Sequence, residues 1–290
     1  MKKADNSIII GADIGGSHIT AAIVDINKKC LIGNIVRKNV NSKGSKVAIL
    51  ETWVNAVKEV ILPYHGELDK LAFAMPGPFD YSKGISLIKG LDKFEAIYGL
   101  NVKSYMSNAL NIPEENILFR NDAEAFLHGE MFCGAGKDCQ KAIGLTLGTG
   151  FGSAISQDGF TKDLNLGSEP FRKSIADDYF STRWFIGRYW ALKGEKPANV
   201  KAFLDLANID IQADIFEEFS LNLADFLSRY LINGDTVILG GNIAQSSHLF
   251  LPLLERNLSK QNLNITFKLA GLNEEAALIG AAASFESISV

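Results

Sequence analysis

The sequence predicts an α/β protein built from two similar halves, and three observations carry that prediction. An apolar strand running into a Gly/Ser/Thr-rich turn and then into a second apolar strand occurs twice, once in each half. Strands alternate with helical apolar stripes along the chain. With 290 residues, 47% hydrophobic content and 7 prolines, there is material for two folded domains, each with its own core.

The first copy reads Ile8-Ile9-Ile10-Gly11-Ala12-Asp13-Ile14-Gly15-Gly16-Ser17-His18, continues through Ile19 to Val24 and closes at Asp25. The second reads Ile143-Gly144-Leu145-Thr146-Leu147-Gly148-Thr149-Gly150-Phe151-Gly152 and closes at Asp158-Gly159. In both, ten residues separate a turn glycine from the closing aspartate, Gly15 to Asp25 and Gly148 to Asp158, which suits a tight hairpin followed by one strand. Glycine at such turns permits positive φ and close approach to the main chain, so that successive N–H groups converge on phosphate oxygens. Ser17 and Thr149 add hydroxyl donors. Asp13 stands where a carboxylate holds Mg²⁺ beside the same phosphates, directly or through water. Neither turn is a P-loop, since no G-x-x-x-x-G-K-[ST] string occurs. One glycine-rich hairpin is most simply a turn without a ligand; the matched pair favours phosphate binding on two walls of a cleft.

After the first hairpin, 31–40 reads as a third strand and 46–62 as a helix, apolar at Val47, Leu50, Val54, Val57, Val60 and Ile61. A short buried strand over 70–75 is stopped by Pro76-Gly77-Pro78. A helix over 101–110 ends before Pro113, and a strand over 116–119 delivers Arg120-Asn121-Asp122 to a helix over 123–130. Asp122 is thereby either a helix N-cap or a carboxylate fixed by a strand end and kept ionised by the helix dipole. The stretch 177–192 reads as one helix carrying Tyr179, Phe180, Trp184, Phe185, Tyr189 and Trp190, as core and domain interface. A long amphipathic helix over 215–230 follows. The strand over 235–239 ends in Gly240-Gly241-Asn242, either a nucleotide-edge turn or an ordinary connection. An alanine-rich helix over 274–284 closes the chain, with Gly280 where another backbone approaches.

The formal net charge of −4 gives no general attraction to nucleic acid or anionic membrane, so phosphate binding has to be local. Residues 1–7 are polar and carry no secretory segment, and no apolar run nears the ~18 residues that span a bilayer. Cys30, Cys133 and Cys139 form neither a paired framework nor a zinc spacing, which points to a reducing cytoplasm. His18, His65, His128 and His248 are dispersed and offer no catalytic or metal arrangement.

Six segments in order carry a family resemblance: Asp13-Ile14-Gly15-Gly16-Ser17 with Asp25, Met75-Pro76-Gly77-Pro78-Phe79-Asp80, Asn121-Asp122-Ala123-Glu124-Ala125, Leu145 to Gly152, Leu239-Gly240-Gly241-Asn242-Ile243, and Glu275 to Ala282. Together they resemble the ROK family of repressors, open reading frames and sugar kinases. The resemblance implies two RNase H-like α/β domains of the actin/hexokinase/Hsp70 type with an interdomain cleft, residues 1–120 completed by a C-terminal helix 274–290, and residues 121–273. It implies ATP, Mg²⁺ and a sugar bound in that cleft. Gly15, Gly16 and Ser17 and the turn Gly148, Thr149 and Gly150 would hold the phosphates, and Gly240, Gly241 and Asn242 would lie beside the adenosine. Asp122 would be the general base and Asn121 a sugar contact, with Gly77 admitting the sugar close to the backbone. The chemistry fits: a carboxylate accepts the proton of the attacking hydroxyl while metal and main-chain donors neutralise charge on the transferred phosphoryl.

The departures concern the sugar end. Family kinases follow the second turn with an E-x-G-H string, a cysteine-rich zinc segment and a further acidic residue. Here the stretch is Gly167-Ser168-Glu169-Pro170-Phe171-Arg172-Lys173-Ser174-Ile175-Ala176-Asp177. Glu169 stands at the glutamate position, Arg172 replaces the histidine, and no cysteine is present, so no structural zinc is expected. Asp177 resembles the later acidic sugar contact and equally an acid opening a helix. Arg172 reads as a donor to a sugar hydroxyl, a carboxylate or a substrate phosphate, or as the ion-pair partner of Glu169.

The expectation is therefore an ATP- and Mg²⁺-dependent hexose kinase, glucokinase-like, with N-acetylhexosamine, fructose or β-glucoside as alternative acceptors and polyphosphate as an alternative donor. The competing class is a non-catalytic sugar-binding regulator. DNA-binding members carry a helix-turn-helix before the first phosphate strand, whereas seven residues precede Ile8, so no nucleic-acid partner is expected. An inactive binder would have little reason to keep Asp122 and both turns. A homodimer is expected, with surface on the aromatic helix.

Overall fold

The computed structural model describes residues 7–286. The polar residues 1–6 and residues 287–290 of the expected C-terminal helix lie outside the described residues. The chain divides into two compact units, Met1–Lys137 with Glu274–Val290, and Asp138–Asn273.

In the first unit β1 (Ile8–Ile14), β2 (His18–Asp25) and β3 (Cys30–Asn39) precede α1 (Lys46–Ile61). Then come β4 (Leu71–Met75), the small hairpin β5 (Phe79–Asp80) and β6 (Ile85–Ser86), α2 (Val102–Leu110), β7 (Ile117–Asn121) and α3 (Asp122–Cys133). The sheet order is β3-β2-β1-β4-β7, with the first three strands antiparallel and β1, β4 and β7 parallel. The unbroken apolar runs of β1, β2 and β4 are buried, as a sheet covered on both faces requires. Helix α1 is capped by Ser45, whose hydroxyl accepts from Ala48 N, and it buries Leu50, Trp53, Val54 and Val57 in this core.

In the second unit β8 (Lys141–Leu147), β9 (Phe151–Gln157) and β10 (Phe160–Asp163) lead to the short pair β11 (Pro170–Phe171) and β12 (Ser174–Ile175). Helices α4 (Asp177–Phe180), α5 (Thr182–Lys193), α6 (Val200–Leu206) and α7 (Ile209–Leu227) follow, then β13 (Thr236–Gly240), α8 (Ser247–Ser259) and β14 (Thr266–Leu269). The order β10-β9-β8-β13-β14 repeats the connectivity of the first sheet, the RNase H-like pattern. Helix α9 (Ala276–Ala283) returns the chain to the first unit.

Four expectations are corrected. The units part after Lys137 and not after residue 120, because α3 packs backbone to backbone on α9. A Cβ at Gly280 would lie 1.8 Å from the Ala125 carbonyl oxygen, and one at Gly129 would lie 2.1 Å from that of Ala276. The single helix expected over 177–192 is two, α4 and α5, since Ser181 is extended (φ −120°, ψ 171°) and its hydroxyl donates to the Asp177 carbonyl at 2.6 Å. Phe180, Trp184, Phe185 and Tyr189 still enter the core, but Trp190 is 53% exposed. Helix α7 starts at Ile209, capped by Asn208, six residues before the expected start. Helix α6 and strand β14 were not expected.

Candidate active site

Parallel pairing brings the C-terminal ends of β1, β4 and β7 side by side: Asp13 is paired with Ala74, and Met75 with Asn121. Ligands of α/β sheets are received at this end of the strands. Asn121, not Asp122, caps α3, its Oδ1 accepting from Ala123 N at 2.8 Å and Glu124 N at 3.2 Å. Asp122 is the first helical residue; one of its oxygens accepts from Ala123 N at 2.9 Å and the residue stays exposed. Surrounding protein nevertheless strips enough water from its carboxyl to raise its pKa, against the pull of the Ala123 N–H and the positive Lys93.

Asp13 is pushed up to about 7, first by burial and then by the negative charge of Asp122, with Arg37 opposing and Glu274 adding to the rise. Arg37 in turn donates to Glu274 at 2.9 Å. Mg²⁺ is bound through one or two carboxylates plus phosphate oxygens, so the Asp13 carboxylate at the end of β1 fits the ion, although among the described residues no three His, Cys, Asp or Glu side chains gather as a metal cluster.

The first glycine turn closes where Gly15 N donates to His18 O at 2.9 Å, leaving Gly16 and Ser17 exposed. A Cβ at Gly16 would meet nothing within 4 Å. Positive φ was expected at the turn glycines, but Gly15, Gly16, Gly148 and Gly150 are all outside the left-handed region; Gly241 is in it, at φ +85°. Gly16 and Gly148 are small for access, a Cβ at Gly15 would lie 2.9 Å from the His18 ring and one at Gly150 3.2 Å from Asp177 Oδ1, and Gly241 needs its conformation as well: a Cβ there would lie 2.4 Å from Leu147 O.

The second turn is anchored by three distant segments. Gly148 O accepts from both Thr182 N (2.8 Å) and Thr182 Oγ1 (3.0 Å), and Leu147 O accepts from Ile243 N at 2.9 Å. Asp177 accepts from Phe151 N at 2.5 Å and pairs with Arg183. These bonds bring Thr149, Gly150, Gly241 and Asn242 together as exposed residues, and Asn242 N lies 4.0 Å from the Cβ position of Gly148. Gly240 is buried at the end of β13 beneath them.

Glu169 and Arg172 do not pair with each other as one reading had it. The β11–β12 hairpin turns at Arg172 (φ +52°), which lies over the Phe171 ring at 5.3 Å and 4.0 Å from Asp225. Exposed Glu169 accepts from Tyr230 OH at 3.5 Å. Gly77 sits under Tyr81, whose hydroxyl is 3.2 Å from the Cβ position. Sequence reading missed Tyr81, Lys93, Arg37, Glu274, Thr182 and Arg183. Most act through a partner far along the chain, for which local pattern carries no signal; Arg183 instead pairs locally with Asp177 and Asp178 across the break before α5.

Two sheets of the same order with glycine turns at their strand ends define a class, the actin/hexokinase-like α/β fold. It is shared with the solved inorganic polyphosphate/ATP-glucomannokinase of Arthrobacter sp. strain KM, at a TM-score of 0.74 and 22% identity over 97% of this chain and 99% of that one. The model of the ROK family matches residues 9–163, and the chain belongs to the ROK family. Among curated relatives, the glucokinase of Thermotoga maritima is 24% identical over 317 residues, covering 94% of this chain and 96% of that protein. The polyphosphate glucokinase of Mycobacterium leprae is 33% identical over 150 residues, 51% of this chain and 43% of that protein.

Proposed function

We propose that this chain is an ATP- and Mg²⁺-dependent sugar kinase that transfers the γ-phosphoryl group to a hexose hydroxyl, glucokinase-like, with Asp122 as general base. One observation carries the reading: Asn121 takes over the helix cap, which leaves Asp122 exposed at a helix N-terminus one strand away from Asp13. Asp122 orients the attacking hydroxyl and accepts its proton, and Asn121 contacts the sugar beside it. The N–H groups of residues 15–17 and 148–150 face phosphate oxygens, and residues 240–242 lie beside the adenosine. Mg²⁺ held by Asp13 would offset phosphate charge. Glu169 and Arg172 are exposed and available to the sugar; Asp177, occupied by Phe151 N and Arg183, fixes the phosphate turn.

The relatives named glucokinase and polyphosphate glucokinase support this reaction class, and the latter favours a second reading in which polyphosphate is the donor. No helix among the described residues is long and apolar enough to cross a membrane. The proposal extends to a homodimer in a reducing cytoplasm, in keeping with free Cys30, Cys133 and Cys139 and with exposed Trp190 and Leu192 on α5. The test is coupled ADP release from Mg-ATP with glucose, N-acetylglucosamine, N-acetylmannosamine, mannose, fructose and cellobiose, repeated with polyphosphate while reading the sugar phosphate. Turnover on one sugar supports the kinase and names its acceptor. Silence with both donors, while calorimetry still detects sugar binding, favours the non-catalytic regulator.

A further inference from the structure

Asn121 has two acceptor lone pairs and two N–H donors. Both lone pairs are taken by Ala123 N and Glu124 N, at 2.8 and 3.2 Å. One N–H donates to Tyr81 OH at 3.2 Å. The Tyr81 proton is itself committed to the Met75 carbonyl at 3.1 Å, so the phenol oxygen can only accept from Asn121. The amide is therefore fixed from both ends, and a flipped amide would set oxygen against oxygen and N–H against N–H. A single N–H of Asn121 is left over.

Tyr81 is held in its own right. Its ring lies against Phe79 with centroids 5.4 Å apart, and Phe79 lies against Phe119 at 5.0 Å. Its hydroxyl occupies the space over Gly77, where a side chain would intrude. One phenol thus ties together the end of β4, the Pro76-Gly77-Pro78 turn and the cap of α3.

We propose that Tyr81 is a positioning residue for the sugar, holding Asn121 so that this side chain meets a sugar hydroxyl only as a hydrogen-bond donor. The inference rests on the sugar-kinase reading. Ionised Asp122, next along the chain, accepts only. The two side chains therefore present opposite polarity, which suits two neighbouring hydroxyls: one accepts from Asn121 and one gives its proton to Asp122.

The test is a cycle of Tyr81→Phe, Asn121→Asp and the double variant. Tyr81→Phe keeps the ring and deletes the oxygen, so the sugar KM is expected to rise about three- to tenfold, as for one lost hydrogen bond, with the nucleotide KM unchanged. Asn121→Asp keeps the cap and removes both donors. Because Tyr81 acts through Asn121, adding Tyr81→Phe to Asn121→Asp is expected to cost nothing further. Additive effects, an unchanged sugar KM in Tyr81→Phe, or an equal rise in the nucleotide KM would overturn the proposal. If the wild type phosphorylates no sugar, the kinase reading fails, and calorimetric sugar affinity in the same cycle decides the role of Tyr81 by the same pattern. A wild type that binds no sugar overturns both.

Discussion

Asn121 and Asp122 divide two tasks that either residue type could perform. Both are good N-cap residues, and the sequence marks the pair without showing which one caps. The backbone makes the choice, with Asn121 outside the helix (φ −57°, ψ 146°) and Asp122 already in it, and Tyr81, forty residues away, accepts a hydrogen bond from the Asn121 amide. Asn121→Ala is expected to cost about 1 kcal/mol through the lost cap, and Asn121→Asp much less, which thermal unfolding of the two variants would compare. Equal loss in both would place the stabilisation elsewhere. Arg172 teaches the same lesson from the other side: its replacement of a histidine is visible in sequence, but its seat over Phe171 depends on a hairpin turn and on Asp225.

Among the elements, the two glycine hairpins were the most legible, because their apolar strands and short turns leave little choice of pairing. Strand β14 was not, since the alternation of Thr266-Phe267-Lys268-Leu269 is only four residues long and all four stay exposed or half-buried. Helix α7 begins with Ile209, 79% exposed, so its first turns carry no apolar stripe. The break between α4 and α5 is tertiary in origin, with Thr182 anchored to Gly148 O through both its N–H and its hydroxyl. The glycines separate into two kinds with opposite predicted outcomes. Gly148→Ala meets only Asn242 N, at an ordinary contact distance of 4.0 Å, so the melting temperature should hold while the nucleotide KM rises at least about tenfold through lost access to the turn. Gly280→Ala drives a methyl into the Ala125 carbonyl, and urea unfolding should show a loss on the order of 3 kcal/mol or more. A Gly148→Ala protein as destabilised as Gly280→Ala would contradict the assignment.

At the scale of the whole molecule, one topology is used twice, and the first unit is completed by the last helix of the chain. The alanine-rich helix and the close approach at Gly280 were legible in the sequence, whereas its place in the first unit was only what the family resemblance implied; the placement of α3 was not legible, since Gly129 opposite Ala276 has meaning only once α9 is in place. The packing also buries His128 near the Ala283 backbone and beside Arg120. Burial first, then the Arg120 charge, lowers its pKa from 6.5 to about 3. The unfolded chain therefore binds a proton below pH 6.5 that the folded chain refuses until about pH 3, so this group makes stability fall as pH falls through that window. The expected loss is about 2 kcal/mol by pH 5, read by denaturant unfolding across pH, and His128→Gln should remove that part of the slope. An unaltered slope in the variant would assign the acid sensitivity to other groups.

The central claim is that Asp122 serves as the base for phosphoryl transfer to a sugar. Asp122→Asn preserves size and leaves the Asn121 cap in place, so the most direct measurement is sugar-dependent ADP release by this variant beside calorimetric sugar binding. The account predicts a turnover reduced by at least about a hundredfold, as for loss of a general base, with sugar affinity and melting temperature nearly unchanged. Turnover close to that of the wild type would contradict it.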